Sequence, residues 1–180
     1  MELRLDLHIH SERSFDGCMS LSEIVALARE RGLNGVAICD HDRVLDEVPE
    51  FDDFLVIPAT EVSTERGHLL GLFVTKPIET RQFSEAVTAI HAQGGLAVIA
   101  HPFEHSTDAN RLDDVMSRLD GVEMWNSRAD RKNRAANAMA LALAKKWDKP
   151  VTAGSDAQQM LGRTPDRIRA AMPLSDGVIS

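Results

Sequence analysis

Residues 3–9 alternate strictly, with Leu3, Leu5, Leu7 and Ile9 apolar and Arg4, Asp6 and His8 between them. A period of two predicts a strand. Ser20-Leu21-Ser22-Glu23 has the form of a capping box, and Leu21, Ile24, Val25 and Ala28 follow at helical spacing up to Gly32. The same change of period repeats along the chain. Residues 36–39 and 54–59 are short apolar runs, and residues 68–74 read as a further strand. Phe83, Ala86, Val87 and Ile90 form a helical face closed by Gly94-Gly95, before a fifth apolar run at 96–100. Leu112, Val115, Met116 and Leu119 predict another helix, and residues 122–125 another strand. Residues 131–147 are Ala-rich without Gly or Pro, which predicts one helix. Residues 151–153 are a last strand, and Thr164-Pro165 reads as an N-cap and first helical turn.

About seven strands interleaved with helices imply an α/β fold with a mostly parallel sheet or a barrel. A length of 180 residues, without a visible linker or repeat, predicts one domain over residues 1–180. At 43% hydrophobic the chain has the composition of a packed core. The formal charge of −8 counts against generic binding to nucleic acid or an anionic membrane. Two cysteines are too few for a disulfide framework, and Cys39, inside an apolar run, reads as a small buried hydrophobe. No run approaches the ~20 apolar residues of a membrane span. The charged N-terminus has no signal-peptide core, so a cytoplasmic location is expected.

The placement of His and acids adds more. His8 and His10 are two apart on a strand and so share a face, opposite the leucines. Asp40-His41-Asp42 follows the second apolar run, Glu61 the third, His101 the fifth, and Asp156 the last. In parallel α/β folds, sites are built at the C-terminal ends of strands. His68 is the exception, since it opens a strand. Imidazole with carboxylate, without thiolate clusters, suits Zn²⁺, Mn²⁺ or Fe²⁺. His91 reads as a helix-surface residue, and His105 as a solvated loop residue or a substrate contact. Arg13 and Arg128 are the best-placed cations for a phosphate, while Lys132 and Arg134 read as a solvated helix face.

Asp6-Leu7-His8-Ile9-His10-Ser11, Phe15-Asp16-Gly17, Cys39-Asp40-His41-Asp42, Glu61-Val62-Ser63 with Gly67-His68, Ala100-His101-Pro102-Phe103 and Gly154-Ser155-Asp156-Ala157 occur in this order. In these segments the chain resembles the PHP (polymerase and histidinol phosphatase) domain family. The resemblance implies a distorted (β/α)7 TIM-like barrel with two or three divalent metal ions at its C-terminal rim. It implies that His8, His10, Glu61 and Asp156 hold a first metal, and that Glu61 bridges to a second on His68 and His101. Asp16 and His41 would share a third with a residue two places after Asp156. Here that residue is Gln158, a neutral oxygen donor in place of imidazole. The third site is therefore expected to be weaker, to take a harder ion such as Mg²⁺, or to go unfilled. Asp6 and Asp40 are expected behind the ligands, fixing the orientation of the rings.

The implied activity is hydrolysis of a small phosphate ester by a hydroxide held between metals. Through that hydroxide, His8, His10, Glu61, His101 and Asp156 would be the catalytic set. A metal-bound water, Asp42 or His105 are the candidates to protonate the leaving group. A phosphodiesterase or exonuclease, a non-catalytic metal-stabilised module, and a metal-dependent amidase remain as alternatives. Two or three divalent ions would bring the formal charge from −8 to between −4 and −2 and make the cleft locally positive. The overall acidity thus does not exclude a small phosphorylated substrate.

Overall fold

The computed structural model describes residues 3–158, so Thr164-Pro165 lies outside the described residues. Seven strands form one sheet in chain order: β1 (Leu5–Ile9), β2 (Gly35–Ile38), β3 (Leu55–Thr64), β4 (Gly67–Leu72), β5 (Leu96–Ile99), β6 (Gly121–Asn126) and β7 (Val151–Gly154). The two edges meet just past β7. Asp156 N–H donates to His8 O at 2.8 Å, and His10 N–H donates to Ala157 O at 3.0 Å. A parallel bridge pairs Ile9 with Ala157, so the sheet curls into a nearly closed barrel. Among the described residues four α-helices accompany it: α1 (Leu21–Glu30), α2 (Phe83–Ala92), α3 (Ser127–Lys132) and α4 (Ala136–Lys146). Among the described residues no helix is long and apolar enough to cross a membrane.

Alternate strand residues build two faces. Ala37, Cys39, Ile57, Ala59, Leu70, Leu72, Val98 and Ala100 form an inner cluster, with Leu5 and Leu7 against it. Val36, Ile38 and Val56 pack outward on Ile24, Val25 and Ala28 of α1, whose start is held by the Ser20–Glu23 capping box. Leu69, Ala97, Ile99 and Val122 pack outward on α2 and α4 through Phe83, Val87, Ala140 and Leu143.

Four features depart from the sequence pattern. First, β3 extends past residue 59 and turns straight into β4, and β4 is antiparallel to both β3 and β5. The turn is two residues long, with Gly67 at φ 120°, too short for a parallel crossover. Glu61 therefore lies inside a strand. The reversal also explains His68: β4 begins where β3 ends, so the opening of this strand reaches the rim. Second, the single helix expected over 131–147 is two helices, α3 and α4. Asn133 between them is extended; its Nδ2 donates to Phe103 O at 3.0 Å and its Oδ1 accepts from Ala135 N–H at 3.1 Å. A side-chain amide that satisfies its own backbone breaks a helix without Gly or Pro. Third, Leu112, Val115, Met116 and Leu119 are buried as a helical face would be, but only Met116–Arg118 forms a 3₁₀ turn.

Fourth, Asp6 pairs with Val36 while Ile9 pairs with Ile38, so β1 carries one extra residue. Such a bulge resets the alternation. Leu5 and Leu7 face the inner cluster, whereas Ile9 packs with the outer one. His8 and His10 do converge, but not because they stand opposite the leucines along an unbroken strand. The bulge turns His8 to the side that Asp6 leaves.

Candidate metal centre

Seven side chains from six strands meet at one end of the barrel. Backbone hydrogen bonds fix the third strand among them: Glu61 N–H donates to Asp40 O at 3.1 Å, and Asp42 N–H donates to Glu61 O at 3.0 Å. Glu61 stands at the middle of the cluster. Its Oε2 is 3.4 Å from His8 Nε2, 3.2 Å from His10 Nε2 and 3.3 Å from His41 Nε2. Its Oε1 is 2.8 Å from His68 Nδ1 and 2.9 Å from His101 Nε2. Asp156 lies on the far side, with Oδ1 3.6 Å from His10 Nε2 and Oδ2 3.8 Å from His101 Nε2. His101 and Asp156 have φ of 25° and 51°, backbone values rare for non-glycine residues that the surrounding hydrogen bonds must hold in place.

This donor set fits divalent cations. Three overlapping groups could each seat one: His8, His10 and Asp156; His8, Glu61 and His101; His10, His41 and Glu61. Glu61 Oε2 is enclosed and has no hydrogen-bond partner, although three imidazole nitrogens surround it. His8 Nε2 and His10 Nε2 approach to 3.1 Å. A cation between these atoms would satisfy the orphan oxygen and relieve the facing nitrogens.

The charges respond accordingly. Burial alone would depress the His8 pKa, but the carboxylates of Glu123, Asp156 and Glu61 hold it well above the ordinary value. Burial opposes ionisation of Glu61 as well, yet His8 and hydrogen bonds from His10, His101 and His68 keep it well below the usual carboxylate range. His101 is likewise disfavoured by burial but raised to about 9 by Glu61, Glu123 and Asp156.

The ring orientations come from residues that the strand pattern did not single out. Glu123 Oε1 is 2.9 Å from His8 Nδ1, leaving Nε2 for the centre, and Glu123 Oε2 accepts from His101 N–H at 2.7 Å. Asn126 Nδ2 donates to Glu123 Oε2 at 3.0 Å and to Asp156 Oδ2 at 3.2 Å. Glu104 Oε2 is 3.2 Å from His101 Nδ1. The available signal was an acid, Glu123, inside the apolar run 122–125.

Asp6 and Asp40 do not orient rings, contrary to expectation. Asp6 Oδ1 accepts the backbone N–H of His8 at 3.2 Å and of Ser155 at 2.9 Å, which ties β1 to the segment after β7. Its burial lifts its pKa to about 6. Asp40 accepts from Ser11 N–H at 2.6 Å and Ser11 Oγ at 2.7 Å, pinning the loop after β1. The bulge is the physical reason in the first case, since it puts Asp6 and His8 on different faces.

Asp16 Oδ2 is 3.3 Å from His41 Nε2, and its Oδ1 accepts from Ser14 Oγ at 2.6 Å. The Gln158 amide donates to Asp156 Oδ1 at 3.0 Å, so its nitrogen faces the acid. Phe15 is 86% exposed, and its ring stacks on His41 with centroids 4.8 Å apart. Arg128 Nη1 is 3.6 Å from Asp156 Oδ2. Arg13 is paired instead with Asp46, in the wall of a cavity with Arg43, Leu45 and Thr75. His105 is exposed, with Nε2 3.4 Å from Glu104 Oε2. Asp42 accepts from Ser63 N–H and pairs with Arg81 at 3.0 Å. His91 pairs with Asp120 at 2.7 Å, outside the cluster.

A family model described as PHP domain matches residues 6–146, which contain all of these groups except Asp156 and Gln158. The chain belongs to the PHP domain family. A second model, described as MreB/Mbl protein, matches residues 135–180, whose described part is α4 and β7 of this PHP barrel. Uncharacterized protein MJ1587 of Methanocaldococcus jannaschii is 33% identical over 144 residues, 69% of this PHP chain and 82% of that protein. Two shorter matches cover 44% and 40% of the chain. They are a "Probable phosphatase" of Syntrophotalea carbinolica, 34% identical, and a 5'-3' exoribonuclease of Haemophilus influenzae, 38% identical. The chain spans only 31% and 29% of those two proteins. A solved structure from Bacteroides vulgatus shares the fold at TM-score 0.72 and 18% identity. It covers 94% of this chain and 56% of that one, and is described as a two-domain protein containing a "predicted PHP-like metal-dependent phosphoesterase".

Proposed function

We propose that this PHP protein is a metal-dependent phosphoesterase acting on a small phosphate monoester. The observation that carries the reading is the enclosed, unpartnered Glu61 Oε2 amid three imidazole nitrogens, with the Arg128 guanidinium standing beside Asp156 at the same rim. His8, His10, Glu61 and Asp156 would hold one divalent ion, and Glu61, His68 and His101 a second. Asp16 and His41 would hold a third, with Gln158 behind Asp156. Zn²⁺, Mn²⁺ and Fe²⁺ suit the imidazole-rich positions, and Mg²⁺ suits the oxygen-rich third one. When bound, such ions supply Lewis acidity to phosphoryl oxygens and lower the pKa of a water.

The protein's own groups do the rest. Glu123 holds the His8 ring with Nε2 inward, and Glu104 does the same for His101. Arg128 offers a planar, permanently charged donor to a phosphoryl oxygen. Phe15 stacks on one face of His41. Asp42 is engaged by Ser63 and Arg81, and the exposed His105, paired with Glu104, is the other side chain in reach to hand a proton to a leaving group.

The test compares p-nitrophenyl phosphate with bis-p-nitrophenyl phosphate on protein reconstituted with each ion in turn. Faster turnover of the monoester is expected, and Arg128→Ala should raise KM roughly tenfold or more, the scale of one charge-assisted hydrogen bond. Preference for the diester would move the assignment to a phosphodiesterase, which the exoribonuclease relative favours. No turnover by fully loaded protein over a broad panel of phosphate esters would defeat the reading.

A further inference from the structure

Glu104 is a buried acid that stands behind the metal cluster rather than in it. It follows His101 by three residues, and its N–H donates to His101 O at 3.0 Å. Its side chain is only 2% exposed, yet four positive or protonatable groups converge on it. Oε2 faces His101 Nδ1 at 3.2 Å and His105 Nε2 at 3.4 Å. Oε1 receives the Lys132 ammonium and lies 3.7 Å from Arg128 Nε. Arg128 and Lys132 are one helical turn apart on α3 and so share a face. Asn133, which ends α3, donates to Phe103 O and ties the helix to the loop carrying Glu104.

A carboxylate this enclosed is costly unless paired. The pairing is more than complete here, since one acid holds two permanent cations. Their side chains stay 31% and 41% exposed, unlike the enclosed Glu104 that they share. Arg128 also reaches to 3.6 Å from Asp156. Arg128 and Lys132 thus stand side by side at the rim against two carboxylates, Glu104 and Asp156.

We infer that Glu104 is a positioning residue with two tasks: it fixes the His101 ring through Nδ1, and it holds Arg128 and Lys132 as a two-cation shelf for a phosphoryl group at the rim. The inference builds on the phosphoesterase reading, because the shelf is assigned to the substrate of that site. It also reverses the sequence expectation for Lys132, which read as part of a solvated helix face.

The experiment uses the full chain loaded with metal and inorganic phosphate as the probe. Phosphate Kd and metal content per chain are measured for Glu104→Gln, Glu104→Asp and Lys132→Ala. Glu104→Gln should weaken phosphate roughly tenfold or more, the scale expected for charge-assisted contacts. It should also weaken metal retention by about 10–100-fold, as loss of a partner to a ligating imidazole does. Lys132→Ala should weaken phosphate alone and leave metal content unchanged. Glu104→Asp should recover part of both losses. The double variant Glu104→Gln/Lys132→Ala should bind phosphate little worse than Glu104→Gln, since the two act as one unit.

Wild-type phosphate and metal affinities in Glu104→Gln, or additive losses in the double variant, would overturn the inference. So would a loaded wild-type protein that binds no phosphate. If Glu104→Gln does not fold, the Lys132→Ala and Glu104→Asp results decide. Phosphate binding and metal content are read without turnover, so an inactive wild type would defeat the phosphoesterase reading while leaving this result readable.

Discussion

At the scale of single residues, buried carboxylates set the protons and ring orientations of His8 and His101. The His8 and His101 pKa values lie well above normal and at about 9, so both rings carry protons at pH 7 when no metal is bound. A cation must displace those protons. Metal affinity should therefore rise with pH up to about 9, with proton release on binding near pH 7, read by calorimetry in buffers of different ionisation heat. Affinity that is flat from pH 6.5 to 9 would contradict this. The stability sign is opposite. A raised folded-state pKa gives the metal-free protein a contribution that is complete below about 6.5 and lost as pH rises through about 9. Glu123→Gln should cost about 10–100-fold in metal affinity, measured by competition with a chelator, because it frees the His8 ring. Phe15→Ala should leave the melting temperature nearly unchanged, since an exposed ring contributes within about 0.5 kcal/mol. It should nevertheless speed metal loss to a chelator by uncovering His41. His41, His101 and Asp156 were legible in the sequence because each follows an apolar run, whereas His68 opens one. Glu123 was not, because it sits inside such a run and its partner is 115 positions away.

At the scale of elements, the number of strands was legible and their local irregularities were not. Period two reveals the strand at 3–9, but no pattern within those residues shows an extra one, since a bulge is defined against the neighbouring strand. The reversal of β4 was hidden for a similar reason: an apolar run has no direction. The break at Asn133 depends on Phe103 O, which is distant in sequence. Gly154, by contrast, has a role that only packing explains. A Cβ there would fall 2.3 Å from His8 Cβ and 2.7 Å from Glu123 Oε1. Gly154→Ala should destabilise the fold by about 1–3 kcal/mol or more, as overpacking does, and should push His8 from Glu123. A denaturant midpoint and metal content check both. Unchanged values would mean that β7 can move away from β1 without loss.

At the scale of the whole molecule, the rim joins six strands of which only β3 and β4 form a hairpin, so metal and barrel should depend on each other. Stripping the ions should lower the melting temperature. By linkage, an ion at 100 times its Kd stabilises by about 2.7 kcal/mol. A melting temperature that ignores chelation would show that the centre adds nothing to the fold. The barrel class was legible because alternating periods imply βα order, whereas the closure was not. It rests on two backbone hydrogen bonds, from Asp156 N–H to His8 O and from His10 N–H to Ala157 O. That closure has a consequence for how the chain is made. A ribosome delivers His8 and His10 well before Asp156. Until β7 emerges, β1 offers an unpaired edge and two imidazoles that lack their final acid. Such early-to-late contacts form slowly. An ion that needs His8, His10 and Asp156 together would then be held only once β7 has paired with β1, and it would lock that pairing.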